Sequence, residues 1–377
     1  MSARPTASLH LNAGREFRAT QRRVLYLLQG LAARGHRVLL CCPRTSALFR
    51  RAGAAGIPCA ALTLRSSLDF PSIVRLARLV RDERFDLVHA HDSQSHHVAR
   101  AARGMSGERA LTANLFLTHH ELADGGTAGA RVHYDDPGVH YIASCKPVRD
   151  GLVQRGADAA RIAVVPDGVD VPALRLATRP STDPWGLRAR GLRIVGTVLR
   201  SGKEKNLMPL LEAFAFLHRR LPDTHVLVAG KASPALERGC RDLGIGAAVT
   251  FTGVLDDAAS VHAAAHVFAY LSDPEGTATT LLEAMAAGTP VVTTAVPSVL
   301  GIVRHGTSAL VVPPRDNQAL AQALELVLAQ PELAARLVHG AATVAEQHSV
   351  ERMVDATLGA YRSLGQLEAA RPDSPRP

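Results

Sequence analysis

The chain contains 377 residues, of which 47% are hydrophobic and 20% are charged. This balance excludes an intrinsically disordered chain and a coiled coil. Since single cores rarely grow beyond about 250 residues, the length predicts two domains. The formal net charge of +9 favours contact with an anionic partner. Aromatic residues make up only 4%, and no basic stripe alternates with stacking rings, which argues against a nucleic-acid-binding protein.

The sequence gives no sign of membrane insertion, export or a metal centre. No apolar run approaches the roughly 20 residues that cross a bilayer, and residues 1–10 lack the apolar core of a signal peptide. We therefore predict a cytoplasmic protein. The cysteines are odd in number and lack the paired short spacing of a zinc site, so we expect reduced thiols and no metal. They are Cys41, Cys42, Cys59, Cys145 and Cys240.

Short apolar runs alternate with amphipathic stretches along the chain, which is the pattern of parallel strands joined by crossover helices. The predicted fold class is therefore α/β. In the first half we predict strands at residues 8–11, 37–42, 86–90, 111–118, 139–143 and 162–165, and helices at 20–34, 73–81 and 147–155. In the second half we predict strands at 192–198, 225–229, 249–251, 267–271, 290–294 and 309–312, and helices at 207–221, 234–243, 279–287 and from 319 onward.

A segment of low periodicity separates the two halves. Residues 166–191 collect prolines and glycines, a composition typical of a connection between domains. We predict one domain over residues 1–175 and a second over 176–365 that includes the closing C-terminal helices. The proline-rich, polar tail at 366–377 is predicted to be disordered.

The segment from 272 to 292 connects a predicted strand to a helix and then to the next strand. Gly276 allows close approach to the backbone. The N–H groups of Thr277, Ala278 and Thr279 lie at the start of the helix, beside the positive end of its dipole. A helix end of this kind binds anions, and a diphosphate would fit there.

Two carboxylates frame this helix start. Glu275 precedes the helix and Glu283 lies two turns into it, so both could accept hydrogen bonds from ligand hydroxyls. The alternative is that Glu275 only stabilises the helix N-terminus while Glu283 lies on a solvated face. Because Glu283 stands within an apolar run, where an unpaired carboxylate would be costly, the sequence favours the ligand-binding interpretation.

The two glutamates, followed by Ala-Met-Ala-Ala-Gly-Thr-Pro-Val-Val at residues 284–292, resemble the donor-site signature of retaining GT-B glycosyltransferases of family 4. The resemblance implies two Rossmann-like domains that face a central cleft, with the acceptor bound by the first and a nucleotide sugar by the second. It further implies that Glu275 holds hydroxyls of the donor sugar and that Glu283 holds the ribose. No metal or other cofactor is implied.

A second match follows the predicted strand at 192–198. Arg200 ends the stretch Gly-Thr-Val-Leu-Arg, and Lys205 stands before the next helix. Fixed cations here could neutralise a diphosphate as the bond to the sugar breaks, and the resemblance assigns Arg200 and Lys205 that role. Lys203 is an alternative to Lys205, which could instead lie in a solvated turn.

Further matches cover most of the chain. Phe251 and Thr252 resemble the backbone seat of the nucleotide base, and Gly253 would let that backbone approach closely. Gly14 follows the first strand where relatives carry a glycine-rich loop near the donor phosphates, although the other expected glycines are absent. Val296-Pro297 and Gly301 stand where a glycine pair and a glutamate are usual.

Histidines gather at predicted strand ends, where open α/β sheets bind ligands. His120 resembles the acceptor-domain histidine that contacts the donor sugar near the reacting carbon. For His89, His91 and His119, packing or solvent exposure remains the alternative. Zinc is not favoured, since no cysteine or carboxylate set accompanies these histidines at ligand spacing.

These features predict retaining transfer from a nucleoside diphosphate sugar to a glycan or lipid-linked acceptor of the cell envelope. The basic charge and the resemblance to envelope glycosyltransferases, including those of lipopolysaccharide biosynthesis, suggest contact with an anionic membrane at its inner face. Two alternatives remain open. One is a sugar-nucleotide 2-epimerase of the same architecture, and the other is a sugar-nucleotide-binding protein that has lost transfer.

Overall fold

The computed structural model describes residues 5–105, 114–119, 134, 136, 138–177, 183–199, 207–255, 258–271 and 278–369. The chain divides into two compact units. Unit 1 comprises Met1–Gly168 and Val350–Pro377, and unit 2 comprises Val169–Ser349. Among the helices described, none combines the length and the apolar character that a membrane span requires.

Strands and helices alternate in both units. The strands are β1 (Ala7–Leu11), β2 (Arg37–Cys42), β3 (Cys59–Ala61), β4 (Leu87–Ala90), β5 (Asn114–His119), β6 (Val139–Ala143), β7 (Ile162–Val164), β8 (Arg193–Val198), β9 (Thr224–Ala229), β10 (Val249–Phe251), β11 (Val267–Tyr270), β12 (Val291–Thr294) and β13 (Leu310–Val312). The helices are α1 (Ala19–Ala33), α2 (Ala47–Ala54), α3 (Phe70–Glu83), α4 (Ser93–Met105), α5 (Lys146–Gln154), α6 (Val171–Ala177), α7 (Met208–Arg220), α8 (Pro234–Asp242), α9 (Ala259–Ala264), α10 (Thr279–Ala286), α11 (Pro297–Leu300), α12 (Asn317–Ala329), α13 (Pro331–Gln347) and α14 (Val350–Ala369).

Each unit is built around a parallel sheet. The sheet of unit 1 has the order β3-β2-β1-β4-β5-β6-β7, and that of unit 2 has the order β10-β9-β8-β11-β12-β13. In both, the chain begins in the middle, adds strands on one side and then returns to the other. This is the doubly wound order of Rossmann-like domains, so the predicted α/β class with two such domains is confirmed.

Helices cover both faces of the first sheet, because its strands are apolar on both sides. Residues of α3, α4 and α5 pack on one face, among them Leu76, Val98 and Leu152. On the other face α1, α2 and α14 form a second cluster. The buried residues of α1 follow helical spacing, namely Val24, Leu27, Leu28 and Leu31.

The second sheet is covered in the same way. Helices α7, α8 and α12 and the start of α13 pack on one face. Helices α6, α10 and α11 join the second half of α13 in another cluster, and α9 packs with Leu187 and Ile194 in a third. Two sandwiched sheets in one chain agree with the two cores that the length predicts.

The predicted strands all appear, with ends that shift by at most a few residues, but the sequence pattern misses six elements, two of which are the short helices α9 and α11. Helix α4 carries two histidines and two arginines, which hide its buried face, and α2 is short and contains Gly53. Strand β3 is three small residues. Helix α6 lies within the proline-rich stretch that we interpreted as a connection.

The division between the units differs from the predicted domains. It falls between Gly168 and Val169, and α14 groups with unit 1 instead of closing the second domain. The reason is an apolar stripe on α14, including Val354, Leu358 and Tyr361, which packs in the same cluster as α1 and the sheet of unit 1. The helix continues to Ala369, so 366–369 are helical, whereas residues 370–377 lie outside the described chain.

The packing of α14 on α1 predicts the effect of a single methyl group. A Cβ added at Gly30 of α1 would lie 2.5 Å from Cγ2 of Val354 on α14. We expect Gly30→Ala to lower the free energy of unfolding by about 1–3 kcal/mol through overpacking, even though alanine has the higher helix propensity. Differential scanning calorimetry measures the change.

Gly53→Ala on α2 is the matched control, since a Cβ there meets no atom within 4 Å. That variant should gain up to about 1 kcal/mol. The double variant Gly30→Ala/Val354→Ala should recover part of the lost stability, because the smaller side chain leaves room for the methyl group. If Gly30→Ala were as stable as Gly53→Ala, the assignment of α14 to unit 1 would be wrong.

Candidate functional site

The strand order reverses between β1 and β4 in unit 1 and between β8 and β11 in unit 2. At such a point the two following loops leave in opposite directions and open a crevice at the carboxyl ends of the strands, where doubly wound sheets bind ligands.

In unit 1, the loop after β1 is closed by its own side chains. The side-chain oxygen of Asn12 accepts hydrogen bonds from the Gly14 backbone N–H (3.1 Å) and from Nε2 of Gln21 (3.2 Å). Gln21 Oε1 in turn accepts from the Arg18 N–H at 3.2 Å. A Cβ at position 14 would collide with the Gln21 side chain. A side chain at position 14 would therefore require the end of the Gln21 side chain to shift, because Gln21 occupies the space beside Gly14.

Asp92 joins this loop to the loop after β4. Its carboxylate accepts from the Ala13 N–H at 2.8 Å and from the Ser95 N–H at 2.8 Å, and the Ser95 hydroxyl donates to it at 2.9 Å. Burial raises the pKa of Asp92, while these hydrogen bonds oppose the shift. Asp92 thus caps α4 and fixes the edge of the sheet where the strand order reverses.

Three buried histidines lie behind this edge. The register of β1 with β4 places His10 opposite His89, and His91 follows two residues later. His10 Nδ1 lies 3.0 Å from His91 Nε2, while His10 Nε2 lies 2.9 Å from the Ser8 hydroxyl. The relative exposure of the three histidines is 2% or less. Burial lowers the pKa of His10 to about 3.

The geometry of this cluster favours a hydrogen-bonded network over a metal centre, although one ligand atom from each ring could be chosen within 4.8 Å of the others. Both nitrogens of His89 are engaged, with the hydroxyls of Tyr361 and Thr118 at 2.6 Å. The 3.0 Å separation between His10 and His91 is a hydrogen-bond distance, shorter than the roughly 3.3 Å between tetrahedral zinc ligands. We therefore interpret His89 and His91 as buried side chains that pack within this hydrogen-bonded network.

Sequence reasoning missed His10, because a lone histidine in a strand carries no motif. Only the strand register would have paired it with His89. His119 also packs, with its ring centroid 5.5 Å from that of Tyr134 and 6.3 Å from that of Tyr141. His120, the predicted catalytic histidine, lies outside the described residues.

In unit 2, β8 and β11 are neighbours in parallel register, with Val195 opposite Val267 and Gly196 opposite Phe268. The Thr197 hydroxyl donates to the Ala269 carbonyl at 2.9 Å, close to the carboxyl ends of both strands. The described chain then stops at Leu199 and Leu271. Five predicted site residues follow these points and lie outside the described residues, namely Arg200, Lys205, Glu275, Gly276 and Thr277.

The described chain resumes at Ala278, where α10 begins. The first intrahelical bond runs from the Leu282 N–H to the Ala278 carbonyl at 3.0 Å, so the helix N-terminus, with the positive end of its dipole, lies next to Ala278. Thr279 and Glu283 are four residues apart and share one helix face. Each is 7% exposed. Glu283 is therefore buried within an apolar helix, as the sequence predicts, and does not lie on a solvated face.

The predicted base seat lies at the end of β10. Phe251 pairs with Val228 of β9, and the Thr252 N–H donates to the Val228 carbonyl at 3.0 Å. Gly253 has φ +79° and a Cβ there would meet no atom within 4 Å. The glycine is therefore required by its left-handed backbone and not by crowding.

Comparisons with known proteins agree with this architecture. Residues 20–172 match the family model Glycosyltransferase Family 4, and residues 185–344 match the model Glycosyl transferases group 1. With two doubly wound sheets, these matches define a glycosyltransferase of the GT-B fold class.

Two similar proteins also match long stretches of the chain. The D-inositol 3-phosphate glycosyltransferase of Corynebacterium urealyticum is 30% identical over 320 residues, which cover 78% of this chain and 75% of that protein. The lipopolysaccharide core biosynthesis glycosyltransferase LpsE of Rhizobium meliloti is 32% identical over 182 residues, which cover 48% of this chain and 50% of LpsE. The chain belongs to glycosyltransferase family 4, which confirms the resemblance drawn from the sequence.

A solved structure shows the same fold. Anabaena HepE in complex with UDP has a TM-score of 0.80 with this chain at 19% identity, and the match covers 95% of this chain and 100% of that one. HepE has also been solved with UDP-glucose.

The buried histidines predict a pH-dependent stability. Burial lowers the pKa of His96 and His140 to about 4, below the ordinary histidine value of 6.5. Between those values the unfolded chain binds more protons than the folded one, so the free energy of unfolding should fall as the pH drops from 7 to about 4. Chemical denaturation at several pH values measures the slope.

His96→Leu should flatten this slope and stabilise the chain most at low pH. Its ring is 1% exposed, and within the described structure neither ring nitrogen has a hydrogen-bond partner, so leucine removes a buried polar group at little cost. His339→Leu, at an exposed position on α13, is the control and should leave the slope unchanged. Equal slopes in His96→Leu and the unmodified chain would contradict the prediction.

Proposed function

We propose that this glycosyltransferase moves a sugar from a nucleoside diphosphate sugar to an acceptor hydroxyl with retention of anomeric configuration. The observation that carries the proposal is the strand order of unit 2. Arg200 and Lys205 belong to the segment that follows β8, and Glu275 belongs to the segment that follows β11, its neighbour in the sheet. The HepE complexes with UDP and UDP-glucose support a donor of this class.

The diphosphate is assigned to the start of α10. The backbone N–H groups at a helix N-terminus and the helix dipole attract an anion, and we assign this contact to Gly276, Thr277, Ala278 and Thr279. Arg200 and Lys205 add two fixed cations from the neighbouring segment. Together they would stabilise the negative charge that develops on the diphosphate as it leaves, without a metal ion or other cofactor.

The two glutamates are assigned to hydroxyl groups of the donor. A carboxylate accepts hydrogen bonds through two oxygens, and vicinal ribose hydroxyls can donate to it. Glu283 is 7% exposed on the α10 face that it shares with Thr279, which suits the ribose. Glu275 lies eight residues earlier and is assigned to the sugar. The backbone of Phe251 and Thr252 at the end of β10 would then seat the base.

In the proposed reaction the bond between the anomeric carbon and the diphosphate oxygen breaks, and its electron pair leaves with the diphosphate. The acceptor oxygen bonds to the same carbon on the face that the diphosphate vacates, which retains the configuration. The acceptor proton passes to the departing phosphate oxygen, so no separate base is needed. His120 is assigned a contact with the sugar near the reacting carbon.

The acceptor is assigned to the carboxyl edge of the sheet of unit 1, whereas Gly14 keeps the place near the donor phosphates that the resemblance implies. The relatives include an inositol phosphate glycosyltransferase and a lipopolysaccharide core glycosyltransferase. Both names support a polar, anionic acceptor such as a glycan or lipid-linked sugar of the cell envelope. We propose that the chain acts in the cytoplasm, at the inner face of the membrane.

One observation favours a second candidate, a sugar-nucleotide-binding protein without transfer activity. Gln21 fills the space beside Gly14, where family members carry a glycine-rich loop. The 2-epimerase alternative gains no such support from unit 1 or unit 2. Incubating a radiolabelled nucleotide sugar with the protein, first alone and then with envelope acceptors, separates the three functions. An epimer formed without acceptor indicates a 2-epimerase, a labelled acceptor indicates transfer, and a donor that binds but stays unchanged in both incubations indicates a binding protein.

Arg200→Ala and Glu275→Gln should each lower kcat/KM for transfer at least about a hundredfold, because each removes a charge that acts on the reacting groups. The measurement is transfer from a panel of nucleotide sugars to envelope acceptors. Arg190→Ala, an exposed arginine of unit 2, is the matched control and should keep full activity. Full activity in Arg200→Ala or Glu275→Gln would refute the assignment.

Lys203 and Lys205 can be separated by the same assay. Lys205→Ala should lower kcat more than it raises KM, since a cation aimed at the leaving diphosphate acts in the transition state. Lys203→Ala should leave both constants near those of the unmodified enzyme. The reverse result would transfer the role to Lys203.

A further inference from the structure

The ends of three neighbouring strands of unit 2 meet at Gly230, directly after β9. The Leu199 N–H donates to the Ala229 carbonyl at 2.9 Å, and the Gly253 N–H donates to the Gly230 carbonyl at 3.1 Å. The Gly230 N–H donates to the hydroxyl oxygen of Thr252 at 3.4 Å. Hydrogen bonds from both sides therefore fix the end of β9 between the ends of β8 and β10.

Position 230 admits no side chain. Gly230 has φ +149°, and a Cβ there would lie 2.8 Å from Cβ of Leu199 and 3.2 Å from its carbonyl oxygen. Glycine is thus required both by the backbone conformation and by the close approach of the end of β8. The first side chain that can extend from this edge after β9 belongs to Lys231, which is exposed.

Lys231 carries a positive charge that no described carboxylate neutralises. The acidic residue nearest to it in sequence, Glu237, lies six residues later on α8. The ion pairs formed within the described part of unit 2 join Arg175 to Glu346, Arg193 to Asp223 and Arg220 to Glu325. Lys231 is therefore available to a ligand.

Lysine at this position is unusual for the chain. Arginine is its common basic residue, and three of its four lysines, Lys203, Lys205 and Lys231, follow β8 or β9. An arginine presents a planar fork of donors, whereas a lysine is a compact point charge on a flexible stem. Lys231 therefore suits a contact with a single acceptor atom.

The strand order places Lys231 beside the proposed position of the nucleotide base. In the order β10-β9-β8-β11, β10 is the edge strand and β9 is its neighbour in the sheet. The hydrogen bonds of Gly230 hold the residue before Lys231 against Thr252 and Gly253. A base that rests on the backbone of Phe251 and Thr252 therefore has Lys231 next to it.

We propose that the Lys231 ammonium donates a hydrogen bond to an exocyclic carbonyl oxygen of the donor base, and so selects a keto base over an amino base. An ammonium group donates hydrogen bonds and accepts none. O4 of uracil or thymine and O6 of guanine are acceptors, whereas N4 of cytosine and N6 of adenine carry hydrogens. An amino base would place its N–H groups against the ammonium, which leaves both without an acceptor.

The proposal deepens the proposed function, because it rests on a nucleotide-sugar donor whose base lies at the end of β10 and names the class of that base. The competing role for Lys231 is a contact with the diphosphate. A phosphate contact acts equally on every nucleoside diphosphate, whereas a base contact acts only on those with the matching carbonyl oxygen. Nucleotides that differ in this one group separate the two roles.

Isothermal titration calorimetry of the full chain with two pairs of nucleotides tests the proposal. UDP and CDP differ in the keto or amino group at C4, and inosine diphosphate and ADP differ in the same way at C6. In the pair whose ring size fits the seat, the keto nucleotide should bind at least about tenfold more tightly than its amino counterpart, as expected for one hydrogen bond from a charged donor.

Two variants should remove this preference in different ways. Lys231→Ala should lower the affinity for the keto nucleotide about tenfold and leave the affinity for the amino nucleotide unchanged. Lys231→Gln should raise the affinity for the amino nucleotide, because an amide both donates and accepts. Arg238→Ala is the matched control, since Arg238 is exposed on α8, and it should bind all nucleotides as the unmodified chain does.

Circular dichroism should show that all variants are folded, since both substituted side chains are exposed. Equal affinity of the unmodified chain for the keto and amino members of both pairs would overturn the proposal. An equal loss for both members in Lys231→Ala would also overturn it and would assign Lys231 to the diphosphate.

Failure of this proposal is distinguishable from failure of the proposed function. A chain that transfers sugar, but whose base preference survives Lys231→Ala, keeps its function and loses the role of Lys231. A chain that shows the expected base preference but transfers no sugar keeps the role of Lys231 and loses the transfer activity. A chain that binds none of these nucleotides loses both.

Discussion

Parallel strand order is the constraint on which the rest of the structure depends. Because each sheet starts in the middle and grows first to one side and then to the other, the loops after β1 and β4, and those after β8 and β11, must part at the carboxyl edge. Polar groups that would be costly elsewhere collect at these two places. Asp92 fixes the edge in unit 1, and Glu283 lies on the helix that follows the reversal in unit 2.

The two reversals of strand order differ in the groups that lie at the carboxyl edge of the sheet. In unit 1 side chains close the edge, since Asn12, Gln21 and Asp92 accept hydrogen bonds from backbone N–H groups of the loop after β1. In unit 2 helix α10 begins after β11, at Thr279, and the basic residues Arg200 and Lys205 follow β8 in sequence. The positive end of the helix dipole favours an anion, which supports the proposed position of the diphosphate.

Sequence patterns predicted the strands of both sheets better than they predicted the helices and the boundary between the two units. Apolar runs revealed the strands, because strands covered on both faces read as continuous hydrophobic segments. Helix α4 was missed, since its buried face includes His96 and is interrupted by arginine. The placement of α14 in unit 1 depends on Val354 and Tyr361 meeting α1 and the first sheet, and contacts across more than 300 residues leave no mark on local periodicity.

Site residues that belong to a sequence motif could be predicted, whereas residues that are brought together by strand pairing or loop packing could not. The burial of Glu283 followed from the apolar residues on both sides of it. His10 joined His89 and His91 only through the pairing of β1 with β4, and the role of Gln21 beside Gly14 depends on how a loop folds back on its helix. Such contacts are set by three-dimensional packing, which a single sequence does not encode as a local pattern.

Amide hydrogen exchange of the full chain, with and without a nucleoside diphosphate, tests most directly whether the donor binds where β8 and β11 end. The account predicts slower exchange in peptides that cover residues 199–207 and 271–283, with a smaller effect near 251–255. Peptides around residues 12–21 of unit 1 should change less. Unchanged exchange at the ends of β8 and β11, with protection confined to unit 1, would contradict the account.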